Sequence, residues 1–188
     1  MYDVNPPLFP EFLWYEAFWV TSAKLPAWQG FQVRNGPYGC LSSDEPSDGL
    51  VHIVFAPEGR GDAPLTEDEI RSVQWVIDHE KSIHDALLQT LFEAYPNIRE
   101  EALEWYDEEE AAALLPEVNN ADELKKIVGV VSINIHPLVR DGIPFVGVEL
   151  GCTWDEEHGA GVMLHGNRAL ECGDADTAIY LGVAKQYL

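Results

Sequence analysis

Apolar and polar residues alternate most regularly in the second half of the chain. One alternating run covers residues 127–136 and another follows Asp141-Gly142, and such alternation is typical of half-buried strands. A two-residue turn at Asp141-Gly142 would place Asn134 opposite Glu149. In this register the apolar residues of both strands share one face, although Pro137 would lengthen the loop and shift the pairing. The residues expected on the buried face are Ile133, Ile135, Val148 and Leu150.

Further strands are predicted on either side of this pair. Gly166-Asn167 indicates a hairpin turn between Val162–His165 and Arg168–Cys172. In the N-terminal part, the predicted strands are 13–20, 30–34 and 49–56. Residues 44–48 are predicted to form an acidic surface loop.

A capping box marks the start of a long helix. Thr66 and Glu69 have the Ser/Thr-x-x-Glu spacing in which each side chain hydrogen-bonds the backbone amide of the other. Leu65 and Ile70 flank the cap as a hydrophobic staple. The apolar residues at helical spacing are Ile70, Val73, Ile77, Leu87, Leu88, Leu91 and Tyr95. The pattern predicts one continuous helix that Pro96 ends.

Helical segments also follow Pro96. Residues 100–115 form an acidic helical stretch, which Pro116 and Asn119-Asn120 break, and a short helix is expected at 122–126. The order of elements favours an α+β fold, with an antiparallel sheet packed against a long central helix and further helices at the middle and C-terminus. The expected organisation is a single domain, 1–188, with a β-rich part (1–56), a helical part (66–126), a β meander (127–172) and a C-terminal helix (176–186).

The net charge of the chain limits the classes of partner that it is expected to bind. Asp and Glu number 33 against 11 Lys and Arg, so the net charge is −22. Such a surface repels phosphate backbones and anionic lipids, so nucleic acid and membrane surfaces are not expected partners. A basic protein or a cation is compatible with it, and the acidity by itself also favours solubility.

Motifs for targeting, disulfides and cofactors are not found in the sequence. No apolar run is long enough to cross a bilayer, and the N-terminus lacks a basic region before an apolar one. Cys40, Cys152 and Cys172 are odd in number and form no CxxC pair, which favours reduced thiols in a cytoplasmic protein. Phosphate-binding glycine loops and nucleophile elbows are absent, so no cofactor is expected.

The stretch Asp78-His79-Glu80, followed by His84, contains the first polar candidates. His79 and His84 are five residues apart, so they point in different directions from a helix and cannot both bind one zinc ion as in HExxH proteases. Glu80 and His84 are four residues apart on the apolar stripe. They fit either a buried acid–base pair or, as we favour, an i,i+4 hydrogen-bonded structural pair.

The densest polar cluster is the run Trp154-Asp155-Glu156-Glu157-His158-Gly159, on a predicted loop between strands. Asp155, Glu157, His158 and His165 carry oxygen and nitrogen ligands for a divalent metal, and Asp with His also suits acid–base chemistry. The structural alternative is a turn that Asp155 caps and in which Gly159 takes a positive φ. No spacing here is diagnostic of a metal, which favours the turn.

A second candidate surface lies in the acidic helical stretch. Charged side chains would attract a cationic protein, and neighbouring aromatic residues would supply the specific affinity. The residues concerned are Trp105, Tyr106, Asp107, Glu108, Glu109 and Glu110. The alternative is a solvated helix surface with Trp105 turned towards the core.

Three segments carry a family resemblance: Leu25–Phe31, Phe55–Gly59 and Gly151–Gly159, the last including Trp154, Asp155, Glu157, His158 and Gly159. They resemble a bacterial family of unknown function that has a Trp-Asp-x-Glu-His-Gly segment followed by a hairpin. The likeness extends from about Pro26 to the last helix. It implies a link to immunity proteins of toxin systems and names no catalytic residue.

Three functions are compatible with the sequence. The first, which we favour, is a non-enzymatic protein-binding domain, in particular an immunity-type inhibitor of a basic partner. The second is a metal-dependent hydrolase centred on Asp155, His158 and His165. The third is a structural or regulatory module. An enzyme requires these side chains to converge in a pocket, whereas a binding protein requires a broad acidic surface.

Overall fold

The protein is a mixed α/β structure. The computed structural model describes residues 12–15, 17–57, 59 and 61–188, without the side chains of Tyr15 and Asp44, so the first eleven residues of the predicted β-rich part lie outside it. Within these residues one sheet contains seven strands in chain order. They are β1 (Leu13–Tyr15), β2 (Phe18–Asn35), β3 (Leu41–Phe55), β4 (Val128–Arg140), β5 (Ile143–Cys152), β6 (Ala160–His165) and β7 (Arg168–Gly173).

The prediction of an antiparallel sheet is wrong for one pair of neighbouring strands, β3 and β4, whose junction is called the seam. β3 and β4 are parallel and pair through Ile53–Phe55 with Ile133–Ile135, whereas the other neighbouring strands are antiparallel. The chain leaves β3 through the helical region and re-enters the sheet in the same direction. Alternation reveals which side chains share a face but contains no information on strand direction, which explains the error.

The β4–β5 hairpin confirms the predicted faces but not the register. Arg140 pairs with Ile143 around the Asp141-Gly142 turn, and both turn residues have positive φ. An irregularity between Ile135 and Val139, the segment that contains Pro137, shifts the pairing, so that Asn134 lies opposite Gly147 instead of Glu149. Because the shift is an even number of residues, the side chains stay on their predicted faces. Ile133, Ile135, Val148 and Leu150 are all buried.

Two further strand predictions have different outcomes. The Gly166-Asn167 hairpin is confirmed by the pairing of His165 with Arg168. The acidic loop predicted at 44–48 is instead part of β3, with Pro46 opposite Gln32. Register shifts on both sides of Gln32 accommodate the proline, because bulges are among the few places where a strand tolerates it.

The predicted long helix is two helices, α1 (Glu67–Asp78) and α2 (Glu80–Ala102). Thr66 caps α1 with the predicted capping box: its hydroxyl accepts from the Glu69 amide at 3.3 Å, and the Glu69 carboxylate accepts from the Thr66 amide at 2.6 Å. The break falls at His79, whose φ of −111° and ψ of 15° are not helical. Pro96 does not end the helix but lies inside α2. Buried Leu91 and Tyr95 precede it, and this packing outweighs the local preference of proline.

The remaining helical segments differ from the prediction in length or in type. The stretch 100–115 contains the end of α2, a turn, and α3 (Glu108–Leu114). A 3₁₀ turn at Ala121–Lys126 stands where the short helix was expected. The C-terminal helix is divided into α4 (Ala175–Ile179) and α5 (Leu181–Lys185), because Tyr180 between them is extended. Among the described helices, none is long and apolar enough to cross a membrane.

One buried cluster connects the helices to the sheet. Residues of α1 and α2, such as Val76, Ile83 and Leu87, share it with Ile53 of β3 and Ile133 of β4. The opposite face of the sheet carries a smaller cluster that includes Phe145, Met163 and Ala184. The C-terminal helices therefore cover part of the second face, and the loop between β5 and β6 lies at one end of the sheet.

Candidate functional site

The loop between β5 and β6 is a turn organised by Asp155. Its Oδ1 accepts hydrogen bonds from the backbone amides of Glu157 at 3.2 Å and His158 at 2.9 Å, and its carbonyl accepts from the Gly159 amide at 3.0 Å. Gly159 has a φ of 63°, and a Cβ there would lie 2.6 Å from the Leu150 carbonyl oxygen. The predicted turn is therefore present, with Asp155 as its cap and a positive φ at Gly159, and it explains the Asx side chain and the glycine at these positions.

The predicted metal-ligating residues do not come together. His158 Nδ1 lies 3.1 Å from Asp155 Oδ1, and the His158 side chain is 67% exposed. His165 ends β6, about 17 Å along the strand from Ala160, which begins it. There the ring nitrogens of His165 contact Arg140. In the described part of the chain, no group of three or more His, Cys, Asp and Glu side chains is placed to hold a metal ion.

A wide groove of about 1170 Å³ lies between the Asp155 loop and the C-terminal half of α2. Residues spaced by three or four positions on α2 form one wall: Ala94, Asn97, Ile98, Glu101 and Ala102. The other wall is the loop 153–160 with the end of β7, and Trp105 and Tyr106 lie where α2 ends. The groove therefore unites the two segments, 105–106 and 154–158, that the sequence suggested separately.

The groove is strongly acidic. Among the described residues, the lining contains no lysine or arginine. It contains five carboxylates: Glu101, Asp155, Glu156, Glu157 and Asp174. Because these five carboxylates face no lysine or arginine in the described lining, the potential of the groove is negative and favours a cationic ligand.

Two aromatic residues at the end of α2 have different roles. The Trp105 residue is 84% exposed, so the alternative in which it turns towards the core is wrong. Tyr106 is half-buried, and its hydroxyl donates to the Trp154 carbonyl oxygen at 3.0 Å. Burial, with the nearby charge of Asp155, raises the pKa of Tyr106. Tyr106 thus ties α2 to the Asp155 loop, and Trp105 is left free to contact a ligand.

The acidic residues that follow Tyr106 cap a helix. Asp107 accepts hydrogen bonds from the amides of Glu109 at 3.0 Å and Glu110 at 2.9 Å, and the Glu110 carboxylate accepts from the Asp107 amide at 3.4 Å. Together with Glu108, these carboxylates occupy the N-terminal turn of α3, where the helix dipole favours negative charge. None of the four residues lines the groove.

His84 and Glu80 do not form the expected hydrogen-bonded pair. His84 Nδ1 lies 2.9 Å from Asp85 Oδ1, and its ring packs at steep angles against Trp28 and Phe31. In the described residues, His84 Nε2 and Glu80 Oε2 are buried without a hydrogen-bond partner. Burial lowers the pKa of His84, so the neutral imidazole is favoured at this apolar junction of α2 and β2.

Several groove residues were not anticipated. Glu101 and Asp174 are 73 positions apart in the sequence, and only the packing of α2 against β7 places them in one groove. The four-residue spacing between Glu101 and Trp105 was the one local signal available. Cys172 also lines the groove, but burial raises the pKa of its thiol, so it is not activated as a nucleophile. Burial likewise raises the pKa of Cys152 to about 12.

The family comparison covers the groove almost completely. A family model described as a domain of unknown function, DUF6985, matches residues 22–180. No curated protein and no solved structure matches the chain. Since the match includes every strand from β3 to β7 and both walls of the groove, the chain belongs to the DUF6985 family of domains of unknown function.

Proposed function

We propose that this protein is a non-enzymatic protein-binding domain and that the groove is where a basic partner binds. One observation carries the proposal: five carboxylates and a highly exposed tryptophan line one large groove, and no lysine or arginine of the described part of the chain lines it. In this proposal the acidic partner surface is on the facing walls of the groove and not at Asp107–Glu110. Trp105 belongs to it, as the sequence predicted.

The chemistry of the groove suits cation recognition. Carboxylates accelerate the encounter with a basic partner, and this contribution weakens with salt. Specific affinity needs an anchor, and Trp is one of the residue types that most often dominate binding energy. The face of an indole ring also attracts lysine and arginine side chains. Trp105 and the carboxylates therefore act on the same kind of ligand.

The hydrolase alternative is less favoured by the geometry. Asp155 and His158 precede β6 whereas His165 ends it, and Asp155 is occupied in its own turn. The regulatory-module alternative predicts that no partner depends on the groove, so the same experiment distinguishes it.

A finer version of the proposal is an immunity-type inhibitor of a bacterial toxin. It rests on the resemblance of Gly151–Gly159 and on the net charge of −22. It predicts that a neighbouring open reading frame encodes a basic toxin and that coexpression of this chain protects cells from it. A toxin that remains lethal on coexpression would contradict this version without affecting the general one.

The general proposal is tested by charge neutralisation in matched variants. The groove variant combines Glu101→Gln, Glu156→Gln and Glu157→Gln. The control variant combines Glu67→Gln, Glu93→Gln and Glu117→Gln, three exposed residues outside the groove with the same total charge. A Glu108→Gln, Glu109→Gln variant tests the acidic turn of α3.

Affinity capture from the native host should recover one basic protein with the wild type and with the control variant. Recovery should fall sharply with the groove variant, while circular dichroism shows an unchanged fold. An identical catch from the groove and control variants would remove the reason to assign binding to the groove. Loss only in the Glu108–Glu109 variant would return the site to α3.

A further inference from the structure

The groove has the dimensions of a peptide site. Its volume of about 1170 Å³ is above the roughly 300–1,000 Å³ of small-molecule pockets. Its α2 wall extends from Ala94 to Ala102, a rise of about 12 Å along the helix. About four residues of an extended chain cover that length. A short stretch of a partner chain therefore fits the groove better than a metabolite.

The apolar part of the lining follows one stripe of α2. Ala94, Ile98 and Ala102 are four residues apart, so their side chains align along the groove. Leu114 and Ala160 extend this apolar surface. An entirely hydrophilic cation would leave the stripe without apolar contacts, so the lining favours a ligand with apolar side chains as well as charge.

The carboxylates lie on both walls of the groove. Glu101 belongs to α2, whereas Asp155, Glu156 and Glu157 belong to the facing loop and Asp174 follows β7. Alternate side chains of an extended ligand point to opposite sides, so its apolar residues can face the α2 stripe while its cations face the wall that carries four of the five carboxylates. Trp105, exposed where α2 ends, can stack on one of these cations.

Resting on the proposed function, we infer that the groove recognises a short segment of the partner in which lysine or arginine residues alternate with apolar ones. The apolar side chains contact the Ile98 stripe, and the cations reach the carboxylates of the facing loop and of Asp174. One terminal cation lies against Trp105. Recognition thus depends on sequence pattern as well as on charge.

Synthetic peptides test the inference. One blocked pentapeptide alternates lysine with leucine, and a second has the same charge with serine in place of leucine. Titration calorimetry should show that the leucine peptide binds at least about tenfold more tightly to the wild type, because two leucines that are only partly removed from water already supply this factor. Trp105→Ala should weaken binding of the leucine peptide, and Trp105→Phe should restore part of it.

The outcomes separate the inference from the function on which it rests. The inference is overturned if the two peptides bind equally but both are lost in the Glu101→Gln, Glu156→Gln, Glu157→Gln variant, a result that leaves cation binding by the groove intact. If the groove variant and the Glu67→Gln, Glu93→Gln, Glu117→Gln control bind both peptides equally, the proposed function fails as well. Because Trp105 is exposed, its substitution should leave the fold unchanged.

Discussion

The two faces of the sheet are packed in different ways. On the first face, large apolar side chains such as Ile133, Val148 and Val162 are completely buried against the helices. On the second face, backbone approaches backbone. A Cβ at Gly147 would overlap the Ala178 carbonyl of α4, and a Cβ at Gly161 would overlap the Asp174 carbonyl. Alternation along a strand thus separates two kinds of packing, one by side chains and one by main chain.

The far end of the second face follows the same rule. The tip of the β2–β3 hairpin folds over it, so that a Cβ at Gly39 would lie 2.9 Å from the Gly151 Cα. Arg34 crosses the neighbouring strands and donates to the Gly39 carbonyl at 3.0 Å and the Gln32 amide oxygen at 2.8 Å. Glycines are therefore required wherever a covering segment lies directly on this face.

Polar side chains occupy the second face between these covering segments. Asn134 donates to Ser132 Oγ at 2.9 Å, and Ser132 donates to Glu149 Oε2 at 2.7 Å. Burial, together with the charge of Asp176, raises the pKa of Glu149. The first face tolerates no such network, since its side chains are buried in an apolar cluster.

The largest expected effect is on the first face. Ile133→Ala should lower the free energy of unfolding by about 2–5 kcal/mol, because the truncation leaves a cavity at a fully buried site. Urea denaturation measures it, with Val139→Ala on the exposed part of β4 as the control. Equal midpoints for the two variants would contradict the assignment of the core to this face.

A smaller loss of stability is expected when a methyl group is added on the second face. Gly147→Ala should cost about 1–3 kcal/mol, because the new methyl group forces α4 away from the sheet. Gly182→Ala, where nothing lies within 4 Å and φ is not positive, is the control that adds the same methyl group without an overlap. Hydrogen exchange should show the lost protection concentrated in residues 175–185; uniform loss over the sheet would argue against local displacement.

The smallest effect concerns the pH dependence of stability. The pKa of Glu149 in the folded protein is above its ordinary value of 4.5, so the unfolded chain loses this proton first as the pH rises. The contribution of Glu149 to the free energy of unfolding therefore decreases as the pH rises from 4.5 to the pKa of Glu149 in the folded protein. Glu149→Gln should gain stability relative to the wild type across that range, and the exposed Glu93→Gln should not. A constant difference over pH would show that the carboxyl titrates normally.

Local patterns predicted the features that depend on neighbouring residues. The Thr66 cap, the Asp141-Gly142 turn and the buried set around Ile133 are each encoded within a few positions. The break at His79 was missed because apolar spacing continues across it, with Val76 and Ile83 buried on either side. The low helix propensity of proline predicts a helix end at Pro96, but the packing of the buried Tyr95 keeps the chain helical there.

Features that join distant segments were beyond the sequence pattern. The groove brings α2, the Asp155 loop and the end of β7 together, and no periodicity relates them. The Asp155 turn was anticipated from its Asp and Gly, but whether Trp105 faces the core or the solvent depends on where α2 ends. Charge composition favours a basic partner and contains no information on where such a partner would bind.

The parallel seam between β3 and β4 has a consequence for how the chain folds. Strands β1–β3 and β4–β7 each form by successive antiparallel pairings with short connections, whereas the seam joins Ile53–Phe55 to Ile133–Ile135 across the whole helical region. Closing that loop costs chain entropy before any seam contact is gained. The two strand groups should therefore form early and the seam late, so that the seam, with the α2 packing that spans it, limits the folding rate.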